Sequence, residues 1–172
     1  MRALGRRLAA VLRAGDVVLM SGPLGAGKTT LTQGIGQGLG VRGPVTSPTF
    51  VIARVHPPRT AARELAADGL PAGRAPAGGP ALVHADAYRL GSAAELDDLD
   101  LDTDTGSSVT VVEWGEGLAE GLAEDRLEIA IALGPGDARL PDGDSPRTVR
   151  ISGIGKRWRD IRLPPADLAD RL

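Results

Sequence analysis

The segment Gly22-Pro-Leu-Gly-Ala-Gly-Lys28-Thr29 constrains this chain more than any other. It matches the phosphate-loop pattern G-x-x-x-x-G-K-[ST] at every specified position. A β-branched run, Asp16 to Met20, precedes it and fits a buried strand. Residues 28–39 follow, with Leu31, Ile35 and Leu39 at i, i+4 and i+8 on one helical face. Strand, glycine loop and helix in that order predict a loop whose backbone N–H groups and helix N-terminus wrap phosphate oxygens. Lys28 then brings a full positive charge to the β and γ phosphates, and the Thr29 hydroxyl is placed for Mg²⁺. Lys156 is the only other lysine, so Lys28 does not come from a background of surface lysines. Gly34, Gly36 and Gly38 each cost the helix up to about 1 kcal/mol relative to Ala. Packing must therefore hold it, and small residues would let it lie close on a sheet.

Further strands are expected at Phe50–His56, Ala81–Ala85, Val109–Val112, Leu127–Leu133 and Thr148–Ser152, and helices over Met1–Ala14, Ala93–Leu99 and Glu116–Glu124. Leu127, Ile129, Ile131 and Leu133 alternate with period two, which suggests an edge or an antiparallel pair with residues 148–152. The expected fold is α/β: a P-loop NTPase-like sheet, mainly parallel with antiparallel C-terminal strands, flanked by helices. One domain spans residues 1–172, with a Gly/Pro-broken loop insertion at 57–80, one or two helical turns near Thr60–Ala67, and a short tail after about 153. The 24 glycines and 13 prolines concentrate at 22–44, 57–80 and 134–146, as loops between ordered elements do.

A phosphate loop needs a second acid for the metal and a group to orient water, both at the C-terminal ends of neighbouring strands. Two apolar runs end in acids: Ala81-Leu-Val-His-Ala-Asp86 and Val109-Thr-Val-Val-Glu113. Either could hold Mg²⁺, directly or through water, while the other positions the attacking water. Thr46-Ser47-Pro48-Thr49-Phe50 reads as a γ-phosphate sensor like a switch loop, or as an ordinary turn into a strand. Of only four aromatics, Phe50, Tyr88 and Trp114 lie on these segments, which suggests a shaped pocket or docking surface. The expected nucleotide contacts are Gly22, Leu24, Gly25, Ala26, Gly27, Lys28, Thr29 and Thr30, with Thr46, Ser47 and Trp114 beside them. Gly38 to Gly43 fits G-x-G-x-x-G but follows a helix instead of a strand, so it reads as a helix end. Asp100, Asp102 and Asp104 start like a calcium loop, yet position 12 is Val111. That run reads as a solvated acidic face.

Taken together, Gly22–Thr30 (GPLGAGKTT), Ser47–Phe50 (SPTF), His84–Arg89 (HADAYR) and Glu113-Trp114 resemble the TsaE family, the small ATPases of bacterial tRNA threonylcarbamoyladenosine biosynthesis. The likeness runs from about Gly5 to Ser152. It implies that Thr29 and Glu113 hold Mg²⁺, that Asp86 and Trp114 are needed for activity, and that ATP is the nucleotide. It also implies TsaB and TsaD partners, whose complex attaches threonylcarbamoyl to adenosine 37 of ANN-decoding tRNAs. Pro23 stands where the family usually has an acid, and Gly115 where proline is common. The family also usually has a stretch before the first helix that helps cover the base, and this sequence starts at that helix.

Twenty basic against twenty-two acidic residues argue against a surface that coats nucleic acid, so tRNA is expected only through the partner complex. No apolar run approaches the ~18 residues of a membrane span. The absence of cysteine removes disulfides and thiolate zinc sites and suits a cytoplasmic protein. The absence of asparagine removes an N-K-x-D guanine-reading motif. The leading expectation is an ATP hydrolase with Lys28, Asp86 and Glu113 as its catalytic residues. The alternatives are a small P-loop kinase, with Arg59, Arg63 and Arg74 as a conceivable lid, and a nucleotide-controlled binding module. Lys156 to Asp160 reads as a terminal helix with Trp158 packed inward, or as a basic patch for tRNA phosphates.

Overall fold

The computed structural model describes residues 1–48, 52–59, 79–97, 105–134 and 146–164. The elements are α1 (Arg2–Ala9), β1 (Val17–Ser21), α2 (Lys28–Leu39), β2 (Ala53–His56), β3 (Ala81–Asp86), α3 (Ala93–Asp97), β4 (Ser108–Glu113), β5 (Arg126–Leu133) and β6 (Arg147–Ile154). They build a six-stranded sheet of order β2-β3-β4-β1-β5-β6. The four inner strands are parallel, and β2 and β6 close the edges antiparallel. β4 is buried along its whole length and β1 nearly so, which is why neither shows the apolar–polar alternation of a half-exposed strand. β5 alternates because it lies next to the edge, and its pairing with β6 puts Ile129 opposite Ile151.

One core joins α1 and α2 to the sheet through Leu4, Leu8, Leu31, Ile35, Val18, Met20, Val111 and Ile129. On the other face, Val17, Leu19, Val83, Ala85, Leu96 and Val112 pack together. The helix glycines do something other than expected. A Cβ on Gly34 would collide with the Arg2 backbone, one on Gly5 with the Leu31 carbonyl, and one on Gly38 with Ala9. Gly34 and Gly38 therefore let α2 lie against α1; only Gly36 faces Val41, Val45 and Leu82.

Several boundaries differ from the sequence expectation, beginning with the first helix, which ends at Ala9 instead of Ala14. Residues 116–124 form turns and a single 3₁₀ turn at Glu120–Leu122 instead of a helix, since Gly117 sits at φ 80° and Gly115 packs against Ala119 and Val112. β2 starts at Ala53, because Ile52 adopts φ 66° at its entrance. The Lys156–Asp160 helix is a 3₁₀ turn, Lys156–Trp158, with Trp158 packed inward and 4% exposed. Phe50, the turns near Thr60–Ala67 and the 100–104 acidic run lie outside the described residues. At the start of the insertion, however, Arg59 is buried and donates from Nε to the Val41 carbonyl at 2.9 Å. Among the described residues no helix is long and apolar enough to cross a membrane.

Candidate functional site

β1 ends at Ser21 and the chain turns at once through Gly22, at φ 139°, into the loop. Gly27 caps α2 at φ 102°, a left-handed conformation that glycine adopts without steric cost. This leaves Lys28 as the first residue of α2, buried beneath the loop. Its ammonium donates to the Gly22 carbonyl at 2.6 Å and the Pro23 carbonyl at 3.0 Å, and lies 3.5 Å from the centre of the Trp114 ring. Burial pulls the Lys28 pKa below its ordinary value, with the nearby Glu113 and Asp86 carboxylates opposing it. Arg147, at the start of β6, braces the loop by donating from Nε to the Ala26 carbonyl at 3.1 Å.

The strand period places the acids. On β3 and β4, Leu82, Val109 and Val111 point into the core with α2, so Asp86 and Glu113, an even number of residues further along, face the same way. The parallel register sets Asp86 opposite Glu113. Both are buried at the strand ends beside the loop. The Thr29 hydroxyl donates to Glu113 Oε2 at 3.0 Å, and the Thr32 hydroxyl, one turn on, lies 3.3 Å from Oε1 and 3.1 Å from the Lys28 carbonyl, to either of which it can donate. His84 lies with its Nε2 2.7 Å from the same Oε1. Asp86 accepts from the Tyr88 backbone N–H at 3.0 Å and from the Ser47 hydroxyl at 3.3 Å, which ties the 46–48 segment to the site. Thr46 is turned away, accepting from Arg54 at 3.1 Å.

Trp114 leaves β4 at φ 62°, and its ring meets Tyr88 at 5.1 Å between centroids. Tyr88 and Leu24 stand out into solvent, 64% and 86% exposed. The structure thus brings Lys28, Thr29, Asp86, Glu113, Trp114 and Ser47 to one mouth, with Thr46 beside Ser47 and bonded to Arg54. Sequence reasoning gave no role to His84, Thr32 or Arg147. His84 and Thr32 were findable: one sits two residues before Asp86, the other three after Thr29, both at same-face spacing. Arg147 has no local signal.

A parallel sheet whose first strand runs through a glycine loop into a helix, with two acids at the ends of the adjacent strands, is the architecture of P-loop NTPase-like α/β domains. The chain belongs to the TsaE family: the family model described as Threonylcarbamoyl adenosine biosynthesis protein TsaE matches residues 1–139. It is 55% identical over 159 residues to the tRNA threonylcarbamoyladenosine biosynthesis protein TsaE of Streptomyces coelicolor, covering 92% of this chain and 93% of that protein. The protein of the same name in Bacillus subtilis is 35% identical over 91% of this chain and 82% of its own. Among solved structures, the crystal structure of Bacillus subtilis YdiB superposes with a TM-score of 0.60 at 30% identity, covering 91% of this chain and 80% of that one.

Proposed function

We propose that this protein is a Mg²⁺-dependent ATP hydrolase that serves threonylcarbamoyl modification of tRNA adenosine 37 by acting on a TsaB/TsaD-type partner complex in the cytoplasm. The observation that carries the reading is the Thr29–Glu113 contact of 3.0 Å at the first turn of α2. A hydroxyl that donates to a carboxylate still offers oxygen lone pairs to a hard cation, and both groups are oxygen donors of the kind Mg²⁺ prefers. Bound there, Mg²⁺ would neutralise charge on the β and γ phosphates.

The chain's own groups supply the rest. The loop N–H groups and the start of α2 hold the phosphates, and Lys28 adds its charge once the ammonium is drawn off the loop carbonyls. Asp86, held by Ser47 and Tyr88 at the end of its strand beside the loop, is the group that orients a water. The 46–48 segment reaches the site through Ser47, so phosphate and partner can be coupled through that bond.

Separate losses from two substitutions test this division. Glu113→Ala should weaken ATP binding in Mg²⁺ far more than in chelator, whereas Asp86→Ala should bind MgATP within a few-fold of wild type and lose turnover by 10²-fold or more. The reverse pattern in the same titrations would exchange the two roles.

A further inference from the structure

Three side-chain donors converge on the buried Glu113 carboxylate, and they are unequal. Thr29 takes Oε2, while Oε1 has His84 at 2.7 Å and, at 3.3 Å, a Thr32 hydroxyl whose one proton also has the Lys28 carbonyl 3.1 Å away. The end of a Glu side chain turns about a broad torsion, so without a firm bond to one oxygen the other has no fixed direction. His84 supplies the shortest of the three. Its ring is fully buried on β3, opposite Val111 in the register, with Nδ1 lacking any hydrogen-bond partner among the described residues. A carboxylate needs a donor, so the contact requires a proton on Nε2, and among the described residues the ring's polar contact is with Glu113.

We infer that His84 is the positioning residue for Glu113, holding Oε1 so that Oε2 faces Thr29 and the cation position. This rests on the proposed Mg²⁺-dependent site, and it goes beyond that reading by assigning a supporting role to a buried side chain outside the loop and its two acids. Hydrogen bonds behind a ligating carboxylate commonly alter metal affinity by 10- to 100-fold.

The test compares His84→Gln, whose amide N–H reaches about as far as Nε2, with His84→Asn, whose amide falls short of Glu113. ATP affinity is titrated in EDTA and across a Mg²⁺ series, and each variant is melted. His84→Asn should bind ATP in EDTA within about twofold of wild type but need about tenfold or more Mg²⁺ for half-maximal tightening. His84→Gln should recover most of that shift. A lower melting temperature with a wild-type Mg²⁺ midpoint in both variants would overturn the inference and leave His84 as a packing residue. Should His84→Asn not melt cooperatively, His84→Leu supplies the donor-free case, judged by the same midpoint. A wild-type protein whose ATP affinity ignores Mg²⁺ would bring down the underlying site and the inference together, a result distinct from unchanged variants in a Mg²⁺-responsive protein.

Discussion

Trp114 holds φ 62°, a conformation that costs a non-glycine residue of order 1–3 kcal/mol and tends to persist where function requires it. What the strained backbone achieves is a ring 3.5 Å from the Lys28 ammonium, capping the charge that the phosphates are proposed to meet. Such a cation–π contact contributes roughly 0.5–2 kcal/mol. The indole is only half-buried: it packs against the margin of the second core and meets exposed Tyr88 at a tilt of 57°. Trp114→Ala should therefore lower stability by less than the ~3–5 kcal/mol of a core Trp truncation, while phosphate release in the presence of partners falls at least tenfold. Thermal melts and phosphate assays on the same preparation separate the effects. A full core-sized loss of stability with unchanged activity per folded molecule would make Trp114 structural.

Between elements, the contact of α1 with α2 sets two effects against each other. Helix propensity favours Ala over Gly at position 34 by about 1 kcal/mol. The Arg2 backbone occupies the space a Cβ would need, and backbone cannot swing aside as a flexible side chain can. Overpacking of this kind typically costs 1–3 kcal/mol, so Gly34→Ala should lower the melting temperature despite its better propensity; a rise would show that the helices separate freely. The same contact shows where sequence reading stops. Strand, loop and helix were legible because the glycine pattern and the i, i+4 spacing are local. Asp86 and Glu113 were legible because each ends an apolar run. The partner of Gly34 lies in α1, far along the chain, and nothing near the glycine announces it. The 116–124 stretch misled because its apolar spacing is helical, whereas the tight packing at Gly115 and the turn at Gly117 are set by the sheet they leave. His84 was visible as part of a motif, but its role depends on a strand register that no local pattern states.

At the scale of the molecule, the chain beyond β6 straps back across its beginning. Arg157 donates to both Asp16 oxygens at 3.0 Å and to the Val11 carbonyl at 2.8 Å, and Trp158 joins the main core. This engages the first arginine of the basic cluster. The β2 edge carries a pH dependence. Burial, with His84 and Arg54 adding to it, holds the pKa of His56 below its ordinary value, against an opposing backbone bond to Arg42. The unfolded chain therefore takes up this proton near pH 6.5, the folded protein only at lower pH. Between those points the unfolded state binds more protons, so stability should fall as pH drops below about 6.5 and be flat above it. Melting curves between pH 8 and 5 should show this, and His56→Gln should reduce the slope. If the loop, Lys28 and the paired acids hydrolyse ATP for a partner complex, as proposed, the γ phosphate of labelled ATP must leave as free inorganic phosphate. Following that label with TsaB-like and TsaD-like partners present, for wild type and Lys28→Ala, should show phosphate release that requires Mg²⁺ and disappears in Lys28→Ala. Phosphate transferred to an acceptor, no release even with the partners, or release undiminished in Lys28→Ala would contradict the proposed hydrolysis.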